Sequence, residues 1–114
     1  MKEYLGITPP NDALGVLQDI HWSGGSIGYF STYALGNLVS AQLWEKINKD
    51  IRDLDEQIRK GKFDSLLGWL REKIHIHGHK FDPQDLIKKV TGSKIDPAAY
   101  LRYLTKKYSD IYGL

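Results

Sequence analysis

The residues best suited to chemistry lie in one run, Gly15-Val16-Leu17-Gln18-Asp19-Ile20-His21-Trp22. On a helix, Asp19 and His21 would be close enough for the carboxylate to orient the imidazole, with Gln18 on an adjacent face. The alternative is structural, with Asp19 capping or pairing and His21 packing at a helix end. Residue chemistry alone favours the structural interpretation, because structural networks collect the same residue types.

Histidines alternate in His75-Ile76-His77-Gly78-His79, a pattern that can indicate a metal site. On a helix, side chains two positions apart diverge, so one ion could not bind both His75 and His77. An extended segment would place the two on one face, but no third or fourth ligand is evident. We therefore predict no metal site on this chain and interpret the histidines as partly charged groups that favour a helix C-terminus.

The segment Arg102–Tyr108 is basic and aromatic and could contact phosphate, but a solvated helix face explains it more simply. Sixteen basic and fourteen acidic residues give a net charge of +2, too mild to indicate a nucleic-acid partner. No phosphate-binding loop, dinucleotide fingerprint, nucleophile elbow or HExxH motif is present. The motifs of the common enzyme classes are therefore missing.

The stretch His21–Trp44 contains no Asp, Glu, Lys or Arg, although the rest of the chain is dense in charge. It predicts a helix from about Ile27 to Lys49, and a helix uncharged on every side requires protein around it. One face would carry Tyr29, Tyr33, Gly36 and Ser40. The stretch is long enough to span a bilayer, but its polar side chains and repeated glycines argue against insertion, so we predict no membrane association.

Caps and hydrophobic periodicity predict the other elements. Residues 1–6 are typical of a helix end, which suggests that the chain begins inside an element. Further helices are predicted over Ala13–His21, Asp50–Gly61, Asp64–His77 and Asp82–Thr91, and from Asp96 onward with Leu101, Leu104, Tyr108 and Ile111 facing inward. No alternating strand pattern occurs. The prediction is an all-α fold of about six helices, with residues 1–114 forming a single helical segment.

The 114 residues are enough for one domain or a piece of one. There is no cysteine, which suits a reducing compartment, and the first residues lack the apolar core of a signal peptide. We expect a cytoplasmic protein.

A family likeness rests on these residues. Gly15-x-x-Gln18-Asp19-x-His21-Trp22 resembles the GxxQDxHW signature of the carboxypeptidase Taq family, thermostable metallocarboxypeptidases that remove C-terminal residues from peptides. The likeness covers nearly the whole chain and extends over Tyr4–Pro10, Ser23–Gln42, Trp69–Gly78 and Tyr103–Leu114. These stretches look like the C-terminal part of the family.

The resemblance implies an all-helical fold with a groove and a zinc or cobalt ion in its floor. The family's ligands come from an HExxH helix and a later glutamate, and neither motif occurs here. The HPF, DxRxT and IRxxAD substrate motifs are also absent. We therefore expect no metal or cofactor on this chain and no peptidase activity from it alone.

By the same resemblance, His21 and Tyr33 are assigned to stabilising the substrate carbonyl as it becomes an oxyanion, with Tyr29 as the alternate phenol. Gln18 and Asp19 would hold the substrate or orient His21, and Trp22 would form a groove wall or pack in the core. Core packing stays open as the alternative for Tyr29.

Two functional hypotheses follow. The first is a C-terminal segment of a metallocarboxypeptidase that meets a peptide substrate only in a complete enzyme. The alternative is a free-standing helical binding or oligomerisation module without catalytic activity. An uncharged helix without its cover also predicts a homo-oligomer, most simply a dimer.

Overall fold

The computed structural model describes all residues, 1–114, and contains helices and no strands. The α-helices are α1 (Lys2–Leu5), α2 (Ile20–Ser23), α3 (Ser31–Asp50), α4 (Leu54–Arg59), α5 (Asp64–Lys73), α6 (Pro83–Thr91) and α7 (Ala98–Tyr112). Three 3₁₀ turns cover Asp12–Leu14, Val16–Gln18 and His75–His77. The all-α prediction is confirmed. None of the helices combines the length and apolarity that a bilayer span requires.

The chain divides into two compact units, residues 1–33 and residues 34–114. In the first unit, the helix predicted over Ala13–His21 is wrong. Gly15 has φ −124° and ψ −111°, outside the helical region, and Asp19 is extended, so two 3₁₀ turns and the short helix α2 replace it. Gly15 is buried, and a Cβ there would lie 2.7 Å from Pro9 Cγ, so the close approach requires glycine.

Helix α3 begins at Ser31, later than the predicted start at Ile27. Gly28 has φ +78°, a conformation outside the α-helical region, so helix α3 does not extend back through this residue. The Gly28 carbonyl accepts a hydrogen bond from Ser31 Oγ at 3.1 Å. Tyr29 therefore lies in the turn before α3, and the prediction that it shares a helix with Tyr33 is wrong. Residues 31–37, the charge-free start of α3, are all exposed.

The core of the second unit forms around three buried side chains, Ile47, Leu54 and Trp69. Partly buried apolar side chains from α3 to α6 surround them: Leu43, Ile51, Ile58, Leu66, Leu70, Ile74 and Val90. Trp69 Nε1 donates to Asp50 Oδ2 at 2.9 Å, which ties α5 to the end of α3 and satisfies the indole N–H. The sequence predicts an apolar face of Phe63, Leu66, Leu67, Leu70 and Ile74. Leu66, Leu70 and Ile74 pack against the core, whereas Phe63 and Leu67 are exposed.

Two predicted helices end earlier or start later than expected. Asp53 has φ +55°, which separates α3 from α4 and breaks the helix predicted over Asp50–Gly61. Ile74 has φ −121° and ψ −63°, so α5 stops at Lys73 and the helix predicted to His77 ends in a 3₁₀ turn.

Gln42 is the buried polar residue of α3, and its amide holds the loop between α6 and α7. Its Nε2 donates to Ser93 Oγ at 2.8 Å and to the Lys94 carbonyl at 3.0 Å. Its Oε1 accepts from the Asp96 backbone N–H at 3.2 Å. One side chain therefore satisfies several polar groups of this loop.

Helix α7 starts where the Asp96-Pro97 pair predicts, and Asp96 Oδ1 accepts from the Ala98 N–H at 2.7 Å. The predicted inward face is wrong: Leu101, Tyr108 and Ile111 are exposed and Leu104 is half-buried. The buried residue is Ala99. Burial on α7 is concentrated in its first turn, at Ala98, Ala99 and Tyr100, so most of the apolar stripe of its remaining turns lies on the surface.

Candidate active site

The candidate site is a hydrogen-bonded line of three side chains within the first unit: Asp19, His21 and Tyr33. Asp19 is the N-cap of α2, and its Oδ1 accepts from the His21 backbone N–H at 2.9 Å. The same oxygen lies 2.8 Å from His21 Nδ1. At the other side of the ring, His21 Nε2 lies 3.2 Å from the Tyr33 hydroxyl. The three groups are aligned through the imidazole.

The line depends on a chain reversal. Asp19 and His21 are placed by the cap and first turn of α2, whereas Tyr33 lies in the first turn of α3. Between them, Ser26 N–H donates to the His21 carbonyl at 2.8 Å, and Gly25 has φ +79°. Glycine adopts that conformation without steric cost, so the tight turn returns the chain towards His21.

Aromatic rings surround the imidazole. Tyr29 stacks on His21 with ring centroids 5.4 Å apart and an interplanar angle of 17°. Phe30 lies 5.0 Å away at 53°, and Tyr33 meets the ring edge-on at 6.0 Å and 86°. Tyr29 and Tyr33 also contact each other edge-to-face at 5.5 Å. The ring of His21 is thus restricted in both tilt and rotation.

The electrostatics of the line follow from its hydrogen bonds. The His21 backbone N–H lowers the pKa of the Asp19 carboxyl, and the imidazole lowers it further, against the raising effect of partial desolvation. Asp19 is therefore ionised at neutral pH and acts only as an acceptor. The side chains of Asp19 and His21 each keep 28% of their surface exposed, so the pair is accessible from solvent.

Other predicted site residues have different environments. Gln18 lies in a 3₁₀ turn, and its Nε2 donates to the Ala13 carbonyl at 2.5 Å, so its amide nitrogen takes part in local structure. Trp22 is exposed. Phe30, which the sequence reasoning missed, contacts His21 directly. Its only signal in the sequence is its position between Tyr29 and Tyr33, the two assigned tyrosines, in a charge-free stretch.

The histidines at positions 75, 77 and 79 are not arranged as a metal-binding centre. His75 and His77 lie in a 3₁₀ turn after α5, and His77 packs edge-on against Phe81 at 5.2 Å. No group of three or more His, Cys, Asp or Glu side chains in the chain is arranged to hold a metal ion. The residues of this chain therefore do not fit a catalytic zinc or cobalt site, which needs three protein ligands.

An all-helical chain with an Asp-x-His pair bonded to a tyrosine fits the family that the GxxQDxHW signature suggests. The chain belongs to the carboxypeptidase Taq (M32) metallopeptidase family, whose family model matches residues 1–108. The resemblance seen in the sequence is confirmed.

Individual relatives agree with the family. Carboxypeptidase 1 of Bacillus subtilis is 46% identical over 113 residues, covering 99% of this chain and 23% of that protein. Thermostable carboxypeptidase 1 of Pyrococcus furiosus is 48% identical over 108 residues, covering 95% of this chain and 22% of that protein. The chain thus spans less than a quarter of the length of these relatives, and the matching part is C-terminal.

Solved structures show the same local fold. The M32 carboxypeptidase from Deinococcus radiodurans superposes with a TM-score of 0.88 at 38% identity, covering 99% of this chain and 23% of that one. Metallocarboxypeptidase 1 of Trypanosoma cruzi gives a TM-score of 0.84 at 41% identity, covering 95% of this chain and 23% of that one. The helices described above are therefore those of the corresponding M32 segment.

Proposed function

We propose that this chain is the segment of a metal-dependent carboxypeptidase that supplies hydrogen-bonding groups to the substrate carbonyl. The observation that supports this proposal is the hydrogen-bonded line from Asp19 through His21 to the Tyr33 hydroxyl. A phenol and an imidazole held together can stabilise charge that develops on a carbonyl oxygen. The substrate would be a peptide shortened from its C-terminus, as the family name indicates.

The other site residues have supporting roles in this proposal. Asp19 orients His21, Gln18 offers its carbonyl oxygen to the peptide, and the exposed indole of Trp22 forms a wall of the groove. Tyr29 is the alternate phenol, although its ring contact with His21 equally suits packing. The metal of the complete enzyme, zinc or cobalt, would be bound outside this chain, because the residues present do not form its ligand set.

The proposal includes inactivity of the chain alone and self-association. Without a ligand set for the metal, the carbonyl-binding groups have no activated water to work with. Apolar side chains on the first unit are strongly exposed, with Ile20 at 77% and Ile27 at 76%, which favours a homo-oligomer. A cytoplasmic location is proposed on the cysteine-free composition.

The test is a chimera in which this chain replaces the matching segment of the Bacillus subtilis relative. Tyr33→Phe deletes the hydroxyl and keeps the ring, so we expect turnover to fall about a hundred- to thousandfold with a much smaller change in substrate binding. Steady-state release of C-terminal residues from N-blocked dipeptides measures it, with metal content determined for each variant.

The controls are His77→Ala and His79→Ala, at positions outside the line, which should leave turnover within a few-fold of the parent chimera. Near-full turnover of Tyr33→Phe would contradict the proposal. So would a metal-loaded parent chimera without activity, and that result would favour the second candidate, a helical binding or oligomerisation module. The exposed apolar residues of the first unit are the observation that supports this second candidate.

A further inference from the structure

The two ring nitrogens of His21 have partners with different hydrogen-bonding capacity. Nδ1 faces the Asp19 carboxylate at 2.8 Å, and a carboxylate can only accept. Nε2 faces the Tyr33 hydroxyl at 3.2 Å, and a hydroxyl can donate or accept. A neutral imidazole carries one proton, so the carboxylate determines which nitrogen holds it.

We propose that Asp19 holds neutral His21 as the Nδ1–H tautomer, so that Nε2 accepts the Tyr33 hydroxyl proton and His21 positions that hydroxyl. In the opposite tautomer, the Nδ1 lone pair would face a carboxylate oxygen at 2.8 Å with no proton between them. That arrangement is repulsive. The lowered pKa of Asp19 keeps the carboxyl from supplying the missing proton at neutral pH.

The aromatic neighbours of His21 also hold the orientation of its ring by packing against it. A flip of the imidazole about its Cβ–Cγ bond would move Nδ1 away from Asp19. Tyr29 stacks on one side of the ring and Phe30 lies at 5.0 Å, so such a rotation would displace both. Tyr29 and Phe30 are positioning residues, and the Tyr29 hydroxyl makes no hydrogen bond in the structure.

The consequence of this tautomer for catalysis rests on the proposed function. Neutral His21 has no proton on Nε2 and cannot donate to a substrate carbonyl. The Tyr33 hydroxyl is the donor, and it reaches the substrate by releasing Nε2. His21 donates through Nε2 only as the imidazolium, when Nδ1–H still bonds Asp19. Asp19 and His21 are therefore positioning residues for Tyr33 in the neutral state.

The tautomer is measurable on the 114-residue chain itself, without activity. Two-bond ¹H–¹⁵N correlation spectra of the ¹⁵N-labelled chain, at a pH where His21 is neutral, distinguish a protonated Nδ1 from a protonated Nε2. We expect a protonated-type shift at Nδ1 and an unprotonated-type shift at Nε2. An Nε2–H tautomer, or averaged shifts on the two nitrogens, would overturn the inference. The ring nitrogens of His77 and His79, which have no carboxylate partner, give reference shifts within the same spectrum.

Two variants separate the roles of Asp19 and Tyr33. Tyr33→Phe should keep the Nδ1–H tautomer, because the carboxylate remains. Asp19→Ser keeps an N-capping side chain but removes the carboxylate, so the Nδ1–H population should fall. A switch in Tyr33→Phe, or no change in Asp19→Ser, would contradict the assignment. If the tautomer is as inferred and Tyr33→Phe leaves chimera turnover intact, the proposed function fails while the inference stands.

Discussion

At the scale of single residues, one carboxylate oxygen joins a backbone cap to a side-chain pair. Asp19 Oδ1 accepts from both the backbone N–H and the Nδ1 of His21, so the start of α2 and the orientation of the imidazole are determined together. The structural and functional interpretations of the Asp-x-His pair are therefore compatible. A capping aspartate can also orient a neighbouring imidazole.

A double variant tests whether His21 and Tyr33 act as a unit. If His21 acts by positioning Tyr33, the chimera carrying His21→Ala and Tyr33→Phe should lose little more turnover than Tyr33→Phe alone, because groups that act together are not additive. Steady-state kinetics on one substrate for the parent, both single variants and the double variant give the coupling. Independent, multiplying losses would count against a joint role.

Tyr29→Phe is the matched control for that cycle. It removes a phenol hydroxyl a few residues away while keeping the ring that stacks on His21. We expect turnover within a few-fold of the parent chimera. A loss as large as that of Tyr33→Phe would instead make Tyr29 the donor.

At the scale of elements, short breaks in the helices decide where the side chains of the candidate site and the core lie. Gly28 with φ +78° delays the start of α3 and places Tyr29 in a turn, where its ring can stack on His21. Asp53 with φ +55° separates α3 from α4 and allows Leu54 to enter the core. Neither break disturbs the hydrophobic pattern, which is why periodicity alone extends the helices through them.

The core of the second unit gives a stability prediction. Leu54 is 2% exposed and contributes to the cluster with Ile47 and Trp69, so Leu54→Ala should lower the free energy of unfolding by about 2–5 kcal/mol. Leu67 on α5 is 39% exposed, and Leu67→Ala should have a much smaller effect. Urea denaturation followed by circular dichroism compares the two. Equal losses would contradict the core described here.

At the scale of the whole molecule, the chain matches the M32 family model over residues 1–108, and no group of three or more His, Cys, Asp or Glu side chains is arranged to hold a metal ion. We expect the purified chain, supplied with zinc or cobalt, to release no C-terminal amino acids from N-blocked dipeptides. The reason is that no three side chains are arranged to hold the ion and activate water. The chimera is the positive control. Turnover by the pure chain that a chelator abolishes would disprove this expectation.

The exposed apolar surface leads to the second expectation at this scale. The chain should self-associate at micromolar concentrations, since side chains such as Ile20, Trp22 and Ile27 are exposed on the first unit. Sedimentation velocity over a concentration series measures the association, and Ile20→Lys should shift it towards monomer. A monomer at high micromolar concentration that binds no apolar dye would argue against it.

The sequence by itself determined the helical class and the family. These depend on local signals, because caps such as Asp96-Pro97 act within one turn and the GxxQDxHW signature lies within eight residues. The assigned roles of His21, Tyr33, Tyr29, Gln18, Asp19 and Trp22 stay predictions.

Only the tertiary structure decided which side chains meet. The bond between His21 and Tyr33 and the stacking of Tyr29 and Phe30 on the imidazole require the chain to reverse after α2. The exposed face of α7 likewise depends on what packs against it. A positive φ changes the backbone at a single residue, so it does not alter the hydrophobic periodicity of the sequence. Packing partners are separated along the chain, so periodicity within one helix does not identify them.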